Sequence, residues 1–237
     1  MSNDTIQAVI LAGGLGTRLR TIIGDVPKPL AEINGRPFLS YQLDWLKRQG
    51  ITRIVLCVGY RHELVEASLG DGTSAGMQIS YSVETQPLGT GGALYNARKQ
   101  LHETFLAMNG DTYFDLELAP LLEAHRSRHA IATMGLVEVP DISRYGAVTL
   151  DNDSHVSQFL EKGRSGPGLI NAGIYALSAT VFDYFPGSAP LSIERDVFPL
   201  LAARQLLNAC TLHGEFLDIG TPESYMEFIR MQRGSHR

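Results

Sequence analysis

Four consecutive apolar residues, Ala8-Val9-Ile10-Leu11, run straight into Ala12-Gly13-Gly14-Leu15-Gly16-Thr17-Arg18. A short continuous apolar run is the pattern of a strand buried on both faces, which places the chain among α/β folds. Three glycines directly after such a strand let the backbone turn tightly and bring its N–H groups close to an anion. Arg18 closes the loop, and Lys28 follows between Pro27 and Pro29, whose rings restrict the backbone and lower the entropy cost of aiming the lysine. A strand, a glycine loop and two cations together read as a cradle for a triphosphate.

Two familiar phosphate loops do not fit. The G-x-x-x-x-G-K-[ST] loop needs a Gly-Lys pair, and none stands at that spacing from Gly13 or Gly14. The dinucleotide pattern G-x-G-x-x-G needs a third glycine where this chain has Leu19. A plain strand-to-helix turn leaves Arg18 and Lys28 without a purpose.

The remainder of the chain supports one substantial α/β domain. Its 237 residues are too few for two large domains, and 44% hydrophobic residues supply a core. A net charge of −5 without a basic run argues against nucleic acid. No apolar run approaches the ~20 residues of a membrane span. Met1–Thr5 lacks the basic and apolar segments of a signal peptide, so a cytoplasmic location is expected. Cys57 and Cys210 each sit in an apolar run and read as packing residues.

Alternation predicts helices over 38–49, 61–69 and 92–101, and strands over 6–11, 54–58, 78–83 and 105–108. That order implies a mainly parallel sheet with right-handed crossovers. The second half carries strand patterns at 131–139, 146–150, 155–160 and 168–177. A helix is expected after Ser192 with Ile193, Val197, Leu200 and Leu201 on one face, kinked or restarted by Pro199. Thr221-Pro222-Glu223 has the cap, first-turn proline and acidic residue of a helix start. Gly234–Arg237 reads as a frayed tail. His125 and His129, four apart, read as a solvated helix face.

Asn109-Gly110-Asp111 follows the 105–108 strand directly. Ligands in open α/β sheets bind at the carboxyl ends of strands, so Asp111 is a candidate Mg²⁺ ligand beside the glycine loop. The other reading of Asn-Gly-Asp is a side-chain-supported turn.

The long stretch L-A-G-G-x-G-T-R-L…P-K-P-L resembles the signature of the sugar-1-phosphate nucleotidylyltransferases, which join a nucleoside triphosphate to a sugar 1-phosphate and release pyrophosphate. The resemblance runs from Val9 to about Tyr225 with the motifs in the family's order. It implies an α/β fold with a Rossmann-like, mixed but mainly parallel sheet flanked by helices, of the nucleotide-diphospho-sugar transferase type. It implies one catalytic domain over 1–237, with a mainly nucleotide-binding half at 1–115 and a mainly sugar-phosphate-binding half at 116–237. Leu11, Ala12, Gly13, Gly14, Gly16 and Thr17 would wrap the triphosphate, and Arg18 and Lys28 would counter the leaving pyrophosphate. Glu84-Thr85-Gln86-Pro87-Leu88-Gly89-Thr90-Gly91-Gly92 resembles the base loop. Glu84, Gln86, Pro87, Gly89 and Thr90 would meet the nucleotide there, with the glycines lying against a flat base and the next helix start facing phosphate or ribose.

Phe216-Leu217-Asp218-Ile219-Gly220-Thr221-Pro222 resembles the family segment whose Asp218 counterpart is the second metal ligand, with Glu215 a weaker candidate. Glu161-Lys162, Asn171-Ala172-Gly173-Ile174-Tyr175 and Tyr145-Gly146 resemble its sugar-phosphate motifs, so Gly146, Glu161, Lys162 and Asn171 would hold the sugar 1-phosphate. Read on their own residues, Glu161-Lys162 is an ordinary surface pair, whereas Asn171 in an apolar strand demands partners. The implied cofactor is Mg²⁺, on Asp111 and Asp218. The implied partners are an NTP, with GTP favoured, a sugar 1-phosphate and a second copy of the chain as a homodimer.

Within the family, A-V-I-L-A-G-G-L-G-T-R-L-R, V-G-Y and E-T-Q-P-L-G-T-G-G-A look most like the branch that guanylylates heptose 1-phosphates for capsule or surface-layer glycans. The mannose 1-phosphate branch is the near alternative, and uridylyl- and thymidylyltransferases lie farther off. A non-catalytic subunit that senses sugar nucleotides would be expected to lose Arg18, Lys28, Asp111 or Asp218, and all four are present.

Overall fold

A computed structural model describes residues 6–14, 16–161, 163–187 and 190–234. Leu15, Lys162 and the tail at 235–237 lie outside the described residues.

The first half runs β1 (Gln7–Leu11), α1 (Arg20–Ile23), β2 (Glu32–Ile33), β3 (Arg36–Pro37), α2 (Phe38–Arg48), β4 (Arg53–Val58), α3 (His62–Leu69), β5 (Gln78–Val83), α4 (Gly89–Ala97) and β6 (Thr104–Asn109). The second half runs β7 (Thr112–Leu116), α5 (Ala119–Ser127), β8 (Ala132–Val139), β9 (Ala147–Leu150), β10 (Val156–Leu160), β11 (Gly168–Ser178), α6 (Phe198–Ala203), β12 (Leu207–Thr211), β13 (Gly214–Asp218) and α7 (Pro222–Gly234).

Among the described residues these strands build a nine-stranded sheet with the path β10-β9-β11-β6-β1-β4-β5, and β8 and β12 continue from β11. β1 pairs in parallel with β4 and β6, and β4 with β5. The carboxyl ends of β1, β5 and β6 therefore reach one edge of the sheet. Beyond β6 the sheet turns antiparallel, because β11 runs against β6, β8 and β9. The sheet is thus mixed, mainly parallel and flanked by helices, as the family resemblance implied.

Side-chain alternation separates two cores. Ala8, Ile10, Ile54 and Leu56 face α2, while Val9, Val55 and Cys57 face α4 and α6. Cys57 is buried among apolar residues, which pushes its thiol pKa upward. A third cluster joins Phe38, Tyr41, Tyr113, Ile219, Tyr225 and Phe228. Phe228 packs edge-on against Phe38 and Tyr41, 5.5 and 5.3 Å between ring centroids. This cluster pins α7 and the preceding segment to α2 and β7.

Several expectations need correction. The third helix begins at Gly89, three residues before the expected 92, and ends in a 3₁₀ turn over Arg98–Gln100. The helix after Ser192 opens as a π-turn over Ile193–Val197 and restarts as α6, with Pro199 in its first turn. That wider turn shifts the helical phase, so Ile193, Val197 and Leu201 are buried while Leu200 is 45% exposed. The short strands β7 and β12 had no clear alternation and were not anticipated, whereas β13 ends at Asp218, the strand end expected just before the capped helix.

His125 is a core residue, not part of a solvated face. Its Nδ1 pairs with Thr133 Oγ1 at 3.0 Å and its Nε2 with Ser178 Oγ at 3.2 Å. His129 stands beyond the end of α5 with a φ of 48°. Burial drives the His125 pKa from its ordinary 6.5 down to about 4. The folded state refuses a proton that the unfolded chain binds, so stability should fall as pH drops from about 6.5 towards 4, by at most ~3 kcal/mol. Urea denaturation across that range should show this slope in the wild type and a flatter one in His125→Gln. Equal slopes would remove His125 as the cause.

Candidate active site

The glycine loop leaves β1 at Leu11, whose neighbours across the sheet are Cys57 on β4 and Asn109 on β6. Gly110 is where β6 presses on that loop. Its N–H donates to the Leu11 carbonyl at 3.0 Å, and a Cβ there would stand 2.7 Å from the same oxygen. Only glycine permits this approach, which sets Asp111 directly beside the loop.

Asp218 arrives by a different route. β13 pairs antiparallel with β7, placing Asp218 opposite Thr112, and the Ile219 N–H donates to the Asp111 carbonyl at 2.9 Å. The two carboxylates thus stand side by side although 107 positions separate them. Burial and the nearby Asp111 charge push the Asp218 pKa up, against the pull of Lys28, the Gly220 N–H and Arg18. Glu215 pairs with Asp115 farther down β13 and is exposed, so it does not join the pair.

Lys28 completes the charge cluster. Its Nζ donates to Asp111 Oδ2 at 2.7 Å, with the lysine side chain 11% exposed and the aspartate 36%. Arg18 is exposed at the cavity wall.

Arg18, Lys28 and Asp111 line a cavity of about 390 Å³, and Asp218 stands near Asp111 but outside the cavity wall. Leu11, Ala12, Gly13, Gly14, Gly16, Thr17, Arg18, Lys28, Glu84, Pro87, Gly89, Thr90 and Asp111 all contribute to its wall. The residues named from sequence for the nucleotide therefore converge, with one exception. Gln86 is exposed and does not line the cavity.

The base loop differs in one respect from the sequence reading. Gly91 and Gly92 belong to α4, and both N–H groups donate to the Leu191 carbonyl at 2.8 and 3.1 Å. These two donors are already used, and the glycines serve close packing against residues 191–193 instead of lying against a base. Glu84 packs its carboxylate against Gly13 and accepts from the Leu88 N–H at 3.0 Å. Burial raises its pKa.

Gly146, Glu161 and Asn171 lie outside this cavity wall but are placed together. Ala147 pairs with Leu160 on β10 and with Ile170 on β11. Gly146, Glu161 and Asn171 each stand one residue beyond that row, at the same end of three adjacent strands. The register of β11 breaks after Asn171. Gly173, at φ 72°, turns there against the Asn109 side chain, where a Cβ would approach to 2.6 Å. The row thus abuts the strand end that carries Asp111. Lys162, the remaining sugar-phosphate residue named from sequence, is outside the described residues.

Among the described residues no cluster of three or more His, Cys, Asp or Glu exists to enclose a metal. Asp111 in the cavity wall with the Asp218 carboxylate near it does fit a hard divalent cation, which needs only one or two carboxylates when phosphate oxygens complete its shell.

The sequence reading missed Gln42. This residue interrupts the apolar face of α2 and is buried. Its Nε2 donates to the carbonyls of Asn109 at 2.8 Å and Thr112 at 2.7 Å, clamping both sides of Gly110-Asp111. A polar residue on an otherwise apolar helix face was the available signal.

Residues 7–233 match the nucleotidyl transferase family, and the chain belongs to that family. It is 40% identical over 227 residues to the D-glycero-alpha-D-manno-heptose 1-phosphate guanylyltransferase of Campylobacter jejuni, covering 94% of this chain and 99% of that protein. It is 39% identical to the mannose-1-phosphate guanylyltransferase of Mycobacterium tuberculosis, covering 95% of this chain and 64% of the other. The crystal structure of HddC from Yersinia pseudotuberculosis complexed with GMP-PN has a TM-score of 0.84 at 37% identity, covering 96% of this chain and all of that one. The protein is a sugar-1-phosphate nucleotidyltransferase.

Replacing Gln42 with Leu should strip two carbonyls of their donor at a cost of about 1–3 kcal/mol. Turnover should fall more than the melting point alone explains, since Asp111 rides on the released turn. Unchanged kcat/KM in a folded Gln42→Leu protein would show that the clamp is dispensable.

Proposed function

We propose that the protein transfers the guanylyl group of GTP to D-glycero-α-D-manno-heptose 1-phosphate, giving GDP-heptose and pyrophosphate for a bacterial capsule or surface glycan. One observation carries this reading. The cavity has a glycine loop and two cations on one wall and Asp111 and Asp218 beside it, next to the row Gly146, Glu161 and Asn171. Likeness to the Campylobacter enzyme along nearly the whole chain supports the heptose. The guanine nucleotide analogue held by the structurally similar Yersinia protein supports the base.

A phosphate oxygen of the sugar 1-phosphate is already ionised at neutral pH, so no general base is required. That oxygen attacks the α-phosphorus in line and forms a new P–O–P linkage. The α–β bridge breaks, and its electron pair leaves on pyrophosphate. Catalysis is then positioning and charge stabilisation. The glycine loop, from Leu11 to Thr17, orients the triphosphate. Arg18 and Lys28 offset charge on the leaving group, with Lys28 exchanging Asp111 for phosphate. Mg²⁺, held by Asp111 and Asp218 together with phosphate oxygens, would supply further neutralisation of that charge. Asn171, Glu161 and the Gly146 backbone hold the sugar, and Lys162 holds its phosphate. Guanine offers N–H donors at N1 and N2, and the Glu84 carboxylate is a matching acceptor at the base end, with Gln86 available on the open side. Both substrates are cytoplasmic metabolites, which is the expected location of the enzyme.

Mannose 1-phosphate is the second sugar to consider, on the 39% identity to the Mycobacterium enzyme. Pyrophosphate release should be measured for the common nucleoside triphosphates against heptose, mannose and glucose 1-phosphates with Mg²⁺. GTP with the heptose 1-phosphate should give the highest kcat/KM. A preference for UTP with glucose 1-phosphate would overturn both base and sugar, while silence throughout the matrix would overturn the reaction.

A further inference from the structure

Among the described residues two buried side-chain oxygens accept no hydrogen bond, Gln42 Oε1 and Asn109 Oδ1. The first has a ready account. Gln42 donates its amide nitrogen to two carbonyls, and its oxygen is left over from that clamp. Asn109 has no such account, because its side chain bonds to no described residue. Phe105 to Met108, the residues before it in β6, are apolar and buried. A leucine would continue that run with no orphaned atom, so the amide costs stability where it stands.

Its place is the joint between the two halves of the site. On one side Asn109 pairs with Leu11 of β1. On the other, the pairing of β6 with β11 stops one residue earlier, at Met108 opposite Ile174. Gly173 stands across from Asn109, so close that a Cβ there would lie 2.6 Å from Asn109 Nδ2. Asn109 also contributes to the cavity wall. It therefore belongs to the nucleotide wall and touches β11 at once. The same glycine donates its N–H to Asn171 Oδ1 at 2.8 Å, so the two asparagine amides meet at Gly173.

The enclosed oxygen fixes what Asn109 can offer. Nδ2 is the end left for a ligand, and the reverse placement would enclose two N–H donors in place of one oxygen. Phosphate in the cavity is matched by Arg18 and Lys28. A neutral donor next to Asn171 suits a neutral hydroxyl instead. Asn171 Nδ2 donates to the Tyr175 hydroxyl at 2.9 Å, and its Oδ1 keeps one lone pair beyond the Gly173 bond. A hydroxyl between the two amides would accept from Asn109 and donate to Asn171, which satisfies its oxygen and its proton together. The geometry points to Asn109 as a specificity-determining residue that reads one hydroxyl of the sugar 1-phosphate. This deepens the transferase reading and rests on it.

The kcat/KM should be measured with GTP, Mg²⁺ and the heptose 1-phosphate, and then with each of its monodeoxy analogues, for wild type, Asn109→Leu and Asn109→Ala. Wild type should reject one analogue by about ten-fold. Asn109→Leu should use the intact sugar about ten-fold less well and accept that same analogue as readily as the intact sugar, with the KM for GTP within about two-fold of wild type. Leucine keeps the branched shape and removes the orphaned oxygen, so the melting temperature should hold or rise. An amide needed only for the fold predicts the opposite, a lower melting temperature with the rejection pattern intact, and that result would overturn the inference. So would a wild type that treats every monodeoxy analogue like the intact sugar, or an Asn109→Leu protein whose KM for GTP rises as much as that for the sugar. Asn109→Ala lacks the donor and adds no bulk, and the same hydroxyl-specific loss in that variant decides the matter if Asn109→Leu does not fold. A wild-type protein inactive with every triphosphate and sugar 1-phosphate pair would reject the reaction itself, whereas an active wild type whose variants keep its rejection pattern rejects only the role of Asn109.

Discussion

Two carboxylates held against each other organise this molecule's site. Burial, and after it the neighbouring Asp111 charge, raise the cost of ionising Asp218. Folding tolerates the arrangement because apolar packing elsewhere fixes the backbone on both sides. Phe228, Phe38, Tyr41 and Tyr113 lock α7 onto α2 and β7, and removing one such buried ring costs about 3–5 kcal/mol in other cores. Lys28 offsets part of the repulsion through its 2.7 Å contact with Asp111. The crowd is an unsatisfied demand for positive charge and a reason for a cation and a cationic side chain to meet phosphate there.

The two halves of the sheet contribute different things. The parallel half brings the ends of β1, β5 and β6 to one edge, and each end delivers one part of the nucleotide wall: the glycine loop, Glu84 and Asp111. The antiparallel half ends in a row of neighbouring strands bearing Gly146, Glu161 and Asn171. The break in β11 at Gly173 fits that row against Asn109, so the halves meet at the strand end that holds Asp111. α2 ties the junction from behind, with Gln42 gripping the turn and Trp45 Nε1 donating to the Leu116 carbonyl at 3.0 Å.

Much of this was legible in the residues. Continuous apolar runs announced β1, β4 and β6 because parallel strands covered on both faces need no polar alternation. Thr221-Pro222-Glu223 announced α7 because capping chemistry is local: the Ser224 N–H does bond Thr221 Oγ1, at 3.3 Å. β7 and β12 were invisible because their five-residue segments take their pairing from distant partners and carry mixed polarity. The phase slip before α6 exposed Leu200 where a regular helix would bury it. The convergence of Asp111 and Asp218 needed the family likeness, since nothing in their spacing brings them together. Gln42 was missed for the same reason: it acts through hydrogen bonds to carbonyls far away in sequence.

The transfer itself is tested most directly by following an oxygen label. Sugar 1-phosphate carrying ¹⁸O on its phosphate should be incubated with GTP, Mg²⁺ and the protein, and the products read by ³¹P NMR. The account predicts a new diphosphate with all of the label on or bridging the sugar-side phosphorus, and unlabelled pyrophosphate. Label in pyrophosphate, or orthophosphate release with no new diphosphate, would contradict it.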